Sequence, residues 1–162
     1  TYTDMKILII YDSLHGNTQD IAKAIYEGLQ TLEKRILPVE KATTQDLKDI
    51  QLLIVGSPTH GGTAKPLLLE FLKRIPNESL NGVKIATFDT RFLESKQKTA
   101  LKILMKVIGY AAPKIAKKLE SKGGVLVDKP QGYFVKEEKG PLLPDELVRA
   151  KKWSTEILSK IS

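Results

Sequence analysis

The stretch KILIIYDSLHGNT, residues 6–18, runs from an apolar segment rich in β-branched residues into a loop holding Ser13, Leu14, His15, Gly16, Asn17 and Thr18. Behind it Ile21, Ala24, Ile25, Leu29 and Leu32 recur at helical spacing, so the local order reads strand, tight turn, helix. A helix that opens directly after such a turn presents backbone N–H groups without intrahelical partners, together with the positive end of its dipole. Ser13, Asn17 and Thr18 add side-chain donors around the same concavity, and the combination predicts a phosphate cradle. Neither the GxxxxGK[ST] nor the GxGxxG pattern occurs here, which excludes the two best-known cradles. An ordinary turn with an Asn N-cap has the same short signature, so the reading needs a second stretch in support.

GSPTHGGT, residues 56–63, supplies it. It follows Leu52 to Val55, a continuous apolar run of the kind found in parallel strands covered on both faces. Pro58, Gly61 and Gly62 predict an irregular surface loop there, after which Pro66 opens a helix with Leu68, Leu69, Phe71, Leu72 and Ile75 as core candidates. Two loops that each leave the end of a strand meet at one edge of an open α/β sheet, where ligands bind.

With both loops in view, YxSxxGNT between a first strand and a first helix resembles the FMN phosphate loop of the flavodoxin family. The Gly56-Ser57-Pro58-Thr59 segment resembles the part of that family that contacts the isoalloxazine ring. The resemblance implies an α/β fold, a flavodoxin-like doubly wound sheet of five parallel strands in the order 2-1-3-4-5 with helices on both faces. It also implies FMN. Ser13, Leu14, His15, Gly16, Asn17 and Thr18 would surround the phosphate, and Pro58, Thr59, His60, Gly61 and Gly62 would lie along the flavin edge. Phe88, Asp89, Thr90 and Arg91 would face the pyrimidine end or close the other side. Departures are visible too: the second loop offers His60 where many flavodoxins have an aromatic residue, and the third lacks their GxGD stretch and following Tyr.

The function so implied is an electron carrier cycling FMN between oxidation states, with a redox partner protein or small electron acceptor and no catalytic acid or base. The alternative on the same fold is an FMN-dependent NAD(P)H:quinone oxidoreductase, which needs a second substrate cavity over the ring and commonly an oligomer. Monomer and homodimer both stay open. A phosphoacceptor receiver shares the strand order but needs an Asp at the end of the third strand, where this chain has Val55-Gly56-Ser57-Pro58.

The other elements are predicted from pattern. Residues 35–41 read as a strand whose Pro38 suits a sheet edge, and Thr44 as the cap of a helical turn through Leu47 and Ile50. Residues 83–88 read as a strand that stops at Asp89. Leu101, Leu104, Met105, Ile108, Ala112, Ile115, Ala116 and Leu119 keep helical spacing, with Gly109 and Pro113 set to kink or split the helix. A fifth strand begins at 125–127 and resumes at 133–135 after a bulge or insertion. Pro144 opens a last helix with Leu147, Ala150, Trp153, Ile157, Leu158 and Ile161 facing the core.

The length of 162 residues suits one domain, with residues 1–4 readable as an extension before Met5. With no cysteine, disulfides and thiolate chemistry are excluded, and two histidines do not make a zinc site unaided. No run spans a bilayer and no leader is visible, so the expected location is cytoplasmic, away from membranes. The net charge of +7 raises nucleic acid as a partner. Lys96, Lys98, Lys102, Lys106, Lys114, Lys117, Lys118 and Lys122 nevertheless read as solvated helix faces, and no nucleic acid is expected. Near the flavin, Lys65, Arg91 and His60 would be the groups that raise its potential.

Overall fold

The structure is a computed structural model and describes residues 4–93 and 99–161. Lys96 and Lys98 lie outside that range.

Three apolar runs set the frame. Strands β1 (Lys6–Tyr11), β3 (Leu52–Pro58) and β4 (Lys84–Phe92) form the middle of a parallel sheet, with β2 (Glu33–Pro38) on the outer side of β1. On the far side of β4 lie two short strands, β5 (Val125–Leu126) and β6 (Gln131–Val135), both parallel to it. The path is therefore β2-β1-β3-β4-β5, as the sequence predicts, with β6 beside β5 on the same edge of β4. The interruption at 127–130 is an insertion that divides the fifth strand into two pieces.

Alternation along the central strands separates two cores. Ile7, Ile9, Leu52, Ile54, Ala86 and Phe88 pack with helices α1 (Asn17–Gly28) and α5 (Glu146–Ile161), where Phe88, Tyr133 and Trp153 meet edge to face. Leu8, Ile10, Leu53, Val55 and Ile85 pack with helices α2 (Pro66–Arg74) and α4 (Ala111–Ser121) on the opposite face. Helix α3 (Thr99–Ile108) belongs to neither core and buries no side chain. No helix among the described residues is long and apolar enough to cross a membrane.

Several expectations are corrected. Helix α1 ends at Gly28, whose missing side chain admits Ser154 of α5, so Leu32 falls beyond it and is exposed. The second strand runs from Glu33 to Pro38 rather than to Lys41, and residues 39–41 form a 3₁₀ turn. The next turn, Thr44–Leu47, is capped by Thr43 rather than Thr44, because Asp46 closes a reciprocal capping box on it. Leu69 and Leu147 face solvent. The Leu101–Leu119 pattern is split at Gly109-Tyr110, while Pro113 sits harmlessly in the first turn of α4. Lys122, expected on a solvated face, is buried and reaches Asn77 Oδ1 at 3.3 Å. Strand β3 continues regularly to Pro58, and β4 continues through Asp89, Thr90 and Arg91 to Phe92, so the third predicted loop is strand.

Candidate functional site

The carboxyl ends of β1, β3 and β4 open into a cavity of about 320 Å³. Its floor and first wall come from residues 13–18. Gly16 has φ +92°, a conformation that L side chains rarely adopt, and this turn lets the chain pass straight from strand into helix. Ser13 Oγ accepts the Gly16 N–H at 3.1 Å and the Gln19 N–H at 3.4 Å, while the Asp20 N–H reaches the Gly16 carbonyl at 3.0 Å. The Asn17 and Thr18 N–H groups precede that first helical bond, so no carbonyl of the helix faces them. Ser13 thus caps the helix and keeps its own hydroxyl proton for a ligand.

Thr18 is almost fully buried, and its Oγ1 lies 2.8 Å from Thr90 Oγ1. The bond ties the helix start to β4. The second wall is Pro58, Thr59, His60 and Gly61, joined to β4 by the Thr59 N–H to Thr90 carbonyl bond at 2.9 Å. The loop itself is closed by paired His60 and Thr63 backbone groups.

The structure brings together Ser13, Leu14, His15, Asn17, Thr18, Pro58, Thr59, His60, Gly61, Thr90 and Arg91 around this cavity. Gly16 shapes the turn behind them. Phe88 and Asp89 do not reach it, because β4 continues to Phe92 and both residues lie one step inside the sheet, each covered on its own face. Phe88 is buried in the α1/α5 core, its ring seated against Gly56, where a Cβ would stand 2.1 Å from the ring. Asp89 is fully buried on the other face. It holds Arg91 Nε at 2.6 Å and Nη2 at 2.7 Å and accepts the Ala112 N–H at 2.8 Å. Burial pushes the Asp89 carboxyl up, against the pull of Arg91, the Ala112 N–H and the Thr59 hydroxyl. The Arg91 guanidinium also stacks on Tyr110, 3.7 Å from the ring centroid.

Lys65 is likewise paired, 3.4 Å from the buried Asp12 carboxylate. Two of the groups expected to raise a flavin potential, Lys65 and Arg91, therefore carry their own counter-charges. An anion at residues 13–18 would meet neutral donors and a helix dipole.

Gly62 lines a second, more apolar cavity of about 190 Å³, which adjoins the first through Thr59, Gly61, Arg91 and Phe92. Its far wall is α3, through Leu101, Leu104, Met105 and Ile108. At Gly62, φ is +82° and an added Cβ would lie 1.7 Å from Ile108 Cγ2. Lys114 Nζ fixes this corner, donating to the Gly62 carbonyl at 2.6 Å and the Ile108 carbonyl at 2.7 Å.

Sequence reasoning missed Phe92, Val135 and Glu138, which complete the first cavity. Phe92 was legible as the next inward-facing position once β4 is allowed to continue. Glu138 carries no such signal, since it arrives on the loop after the divided fifth strand, which packs near Asn17 at Gly140.

Residues 8–122 match the family model described as a flavodoxin domain. A flavodoxin of Aquifex aeolicus is 42% identical over 60 residues, 35% of this chain and 32% of that protein. A probable flavodoxin 1 of Bacillus subtilis is 34% identical over 86 residues, 51% of this chain and 54% of that one. The matches thus span between a third and about half of those relatives. Among solved structures, a flavodoxin from the domain Archaea superposes with a TM-score of 0.75 at 21% identity, covering 97% of this chain and 99% of that one. Oxidised flavodoxin 2 of Bacillus cereus does so with a TM-score of 0.73 at 23% identity, covering 96% and 99%. At these identities the superpositions speak for the fold.

Proposed function

This chain belongs to the flavodoxin domain family, and from that premise we propose that it binds FMN in the paired cavities and carries electrons between partners. FMN is the family's cofactor, and when bound it accepts and releases electrons. The observation that carries the reading is the polar cavity that ends on the opening turn of α1 and continues into an apolar slot under α3.

The residues present fit the group. The Asn17 and Thr18 N–H groups and the Ser13 hydroxyl hold the phosphate, with Gly16 providing the turn that aims them. Pro58, Thr59, His60 and Gly61 on one wall and Phe92 on another would hold the flavin, with Thr90 and Arg91 at the base of the cavity. Asp89 and Tyr110 keep Arg91 in place. The apolar lining of the second cavity would offer a nonpolar surface to the ring, and this chain would set binding and orientation while the cofactor supplies the redox chemistry.

Equilibrium titration with FMN and with riboflavin tests the reading. FMN binds at least tenfold more tightly, because only FMN offers a charged acceptor to the donors at 13–18. Equal affinities overturn the phosphate assignment. The reading as a carrier, rather than an NAD(P)H:quinone oxidoreductase, requires that NADPH alone leave the flavin colour unchanged over minutes while dithionite bleaches it.

A further inference from the structure

Helix α3 has two faces, and the cavities use only one. Leu101, Leu104, Met105 and Ile108 line the apolar cavity, Leu101 and Leu104 while still 40% and 51% exposed, whereas Ile103 and Val107, one turn apart, lie off it and stand 59% and 79% exposed. Lys102 and Lys106 form a parallel row beside them. No acidic residue occurs anywhere between Lys96 and Leu119, a stretch whose lysines equal the whole chain's net charge of +7. Two of those lysines, Lys102 and Lys106, stand on α3, and three more, Lys114, Lys117 and Lys118, follow on α4, so the helix that walls the apolar cavity opens an acid-free basic stretch of the molecule.

From this we propose that the outer face of α3 is a docking surface for an acidic redox protein, one that presents carboxylates around a small apolar centre. The proposal rests on the electron-carrier reading, which it deepens by naming the partner's chemistry. Two aliphatic side chains supply the dry centre, and the flanking lysines steer and orient the encounter. A partner seated there stands one helix diameter, about 10 Å, from the cavity. A second copy of this chain does not suit the surface, since a two-fold contact through α3 sets Lys102 and Lys106 against their own counterparts. A membrane suits it less, since α3 is only 10 residues long and Leu101, Leu104, Met105 and Ile108 already line the cavity.

Cytochrome b5, an acidic haem protein, and cytochrome c, a basic one, serve as probes of binding, measured by calorimetry at low and moderate salt. Cytochrome b5 is expected to bind and to weaken at least tenfold between 20 and roughly 200 mM salt, as exposed charge pairs are screened. Lys102→Glu with Lys106→Glu weakens it at least tenfold at low salt. Lys151→Glu with Lys152→Glu on α5, an equal change of net charge elsewhere, alters it less than threefold. Ile103→Ser with Val107→Ser weakens the complex without changing its salt dependence. Tighter binding of cytochrome c, no binding of cytochrome b5, or equal losses from both lysine pairs overturns the proposal. So does recruitment to phosphatidylglycerol vesicles that the α3 pair abolishes while cytochrome b5 affinity is unmoved. None of these measurements needs the flavin, so a failure of FMN to bind would be seen separately in the FMN titration.

Discussion

The two walls of the site are built on opposite plans. The loop at 13–18 is welded to the sheet: Gly16 turns it, Ser13 caps the helix behind it, and Thr18 is buried against Thr90. Helix α3, the more apolar element, buries no side chain and is held at its end by Lys114 and by the close fit of Ile108 against Gly62. Burial and hydrogen bonding, rather than apolar content, decide which wall is rigid. On the proposed reading, affinity for a charged group falls to the stiff wall and access to the ring end to the looser one.

The largest effect expected is on the stiff wall. Ser13→Ala removes the one side-chain hydroxyl assigned to the phosphate and the acceptor of the Gly16 and Gln19 N–H groups, so FMN affinity falls by about 1.5 to 3 kcal/mol, the range for a hydrogen bond to a charged group. Riboflavin affinity changes far less. If both ligands weaken equally in titrations, the phosphate is held elsewhere and the contrast between the walls disappears.

Gly62→Ala strikes the other wall. Its left-handed backbone costs about 1 to 2 kcal/mol with a side chain, and the new methyl group overlaps Ile108. Thermal unfolding should show the loss. FMN and riboflavin should weaken together, leaving their ratio intact, and Ile108→Ala should restore part of the binding by making room.

Lys114→Met asks how firmly α3 is held. Loss of two partly exposed bonds to carbonyls is expected to cost about 1 kcal/mol locally, a roughly fivefold rise in amide exchange confined to α3 and the 60–63 turn. Uniform exchange across the sheet would mean that α3 does not open separately.

The smallest effect is set far from both walls. Burial raises the Asp128 carboxyl, but Lys160, the Trp153 indole N–H and the Lys129 backbone outweigh it and hold the group below its ordinary value. A carboxyl depressed by folding contributes stability above the unfolded carboxylate range, and that stability is lost as pH falls through the folded value. Asp128→Asn should therefore cost less than about 1 kcal/mol at pH 7, given the partial exposure of the pair, and progressively less as pH falls through the folded carboxyl's lowered value. Neither the FMN to riboflavin ratio nor α3 exchange should move.

The same contrast governs what the sequence disclosed. The stiff wall was legible because glycine, a β-branched run and a helical period are local signals, each tied to one backbone conformation. Strand order followed from them. Phe88 and Asp89 fall elsewhere because no local signal marks where β4 stops, and a strand that runs four residues further leaves both covered inside the sheet and moves its open end to Thr90, Arg91 and Phe92. Leu101, Leu104, Met105 and Ile108 carry a core-like period, yet their apolar face meets a cavity instead of a packed neighbour. Periodicity identifies a face and is silent about what lies opposite. Arg91 and Lys65 were counted as free positive charges because their partners, Asp89 and Asp12, are revealed only by folding.

The divided fifth strand has a consequence for how these molecules behave in a crowd. An open sheet has two unprotected rims, and a long, even rim is a template on which another chain can add. Here one rim is two short pieces separated by a loop containing Lys129 and Pro130, and the other, β2, ends in Pro38, which has no N–H to offer. The first rim gives an incoming strand no unbroken row of partners, and the second stops at its proline. The insertion that divides the fifth strand thus also works against edge-to-edge assembly on its side of the sheet at high concentration.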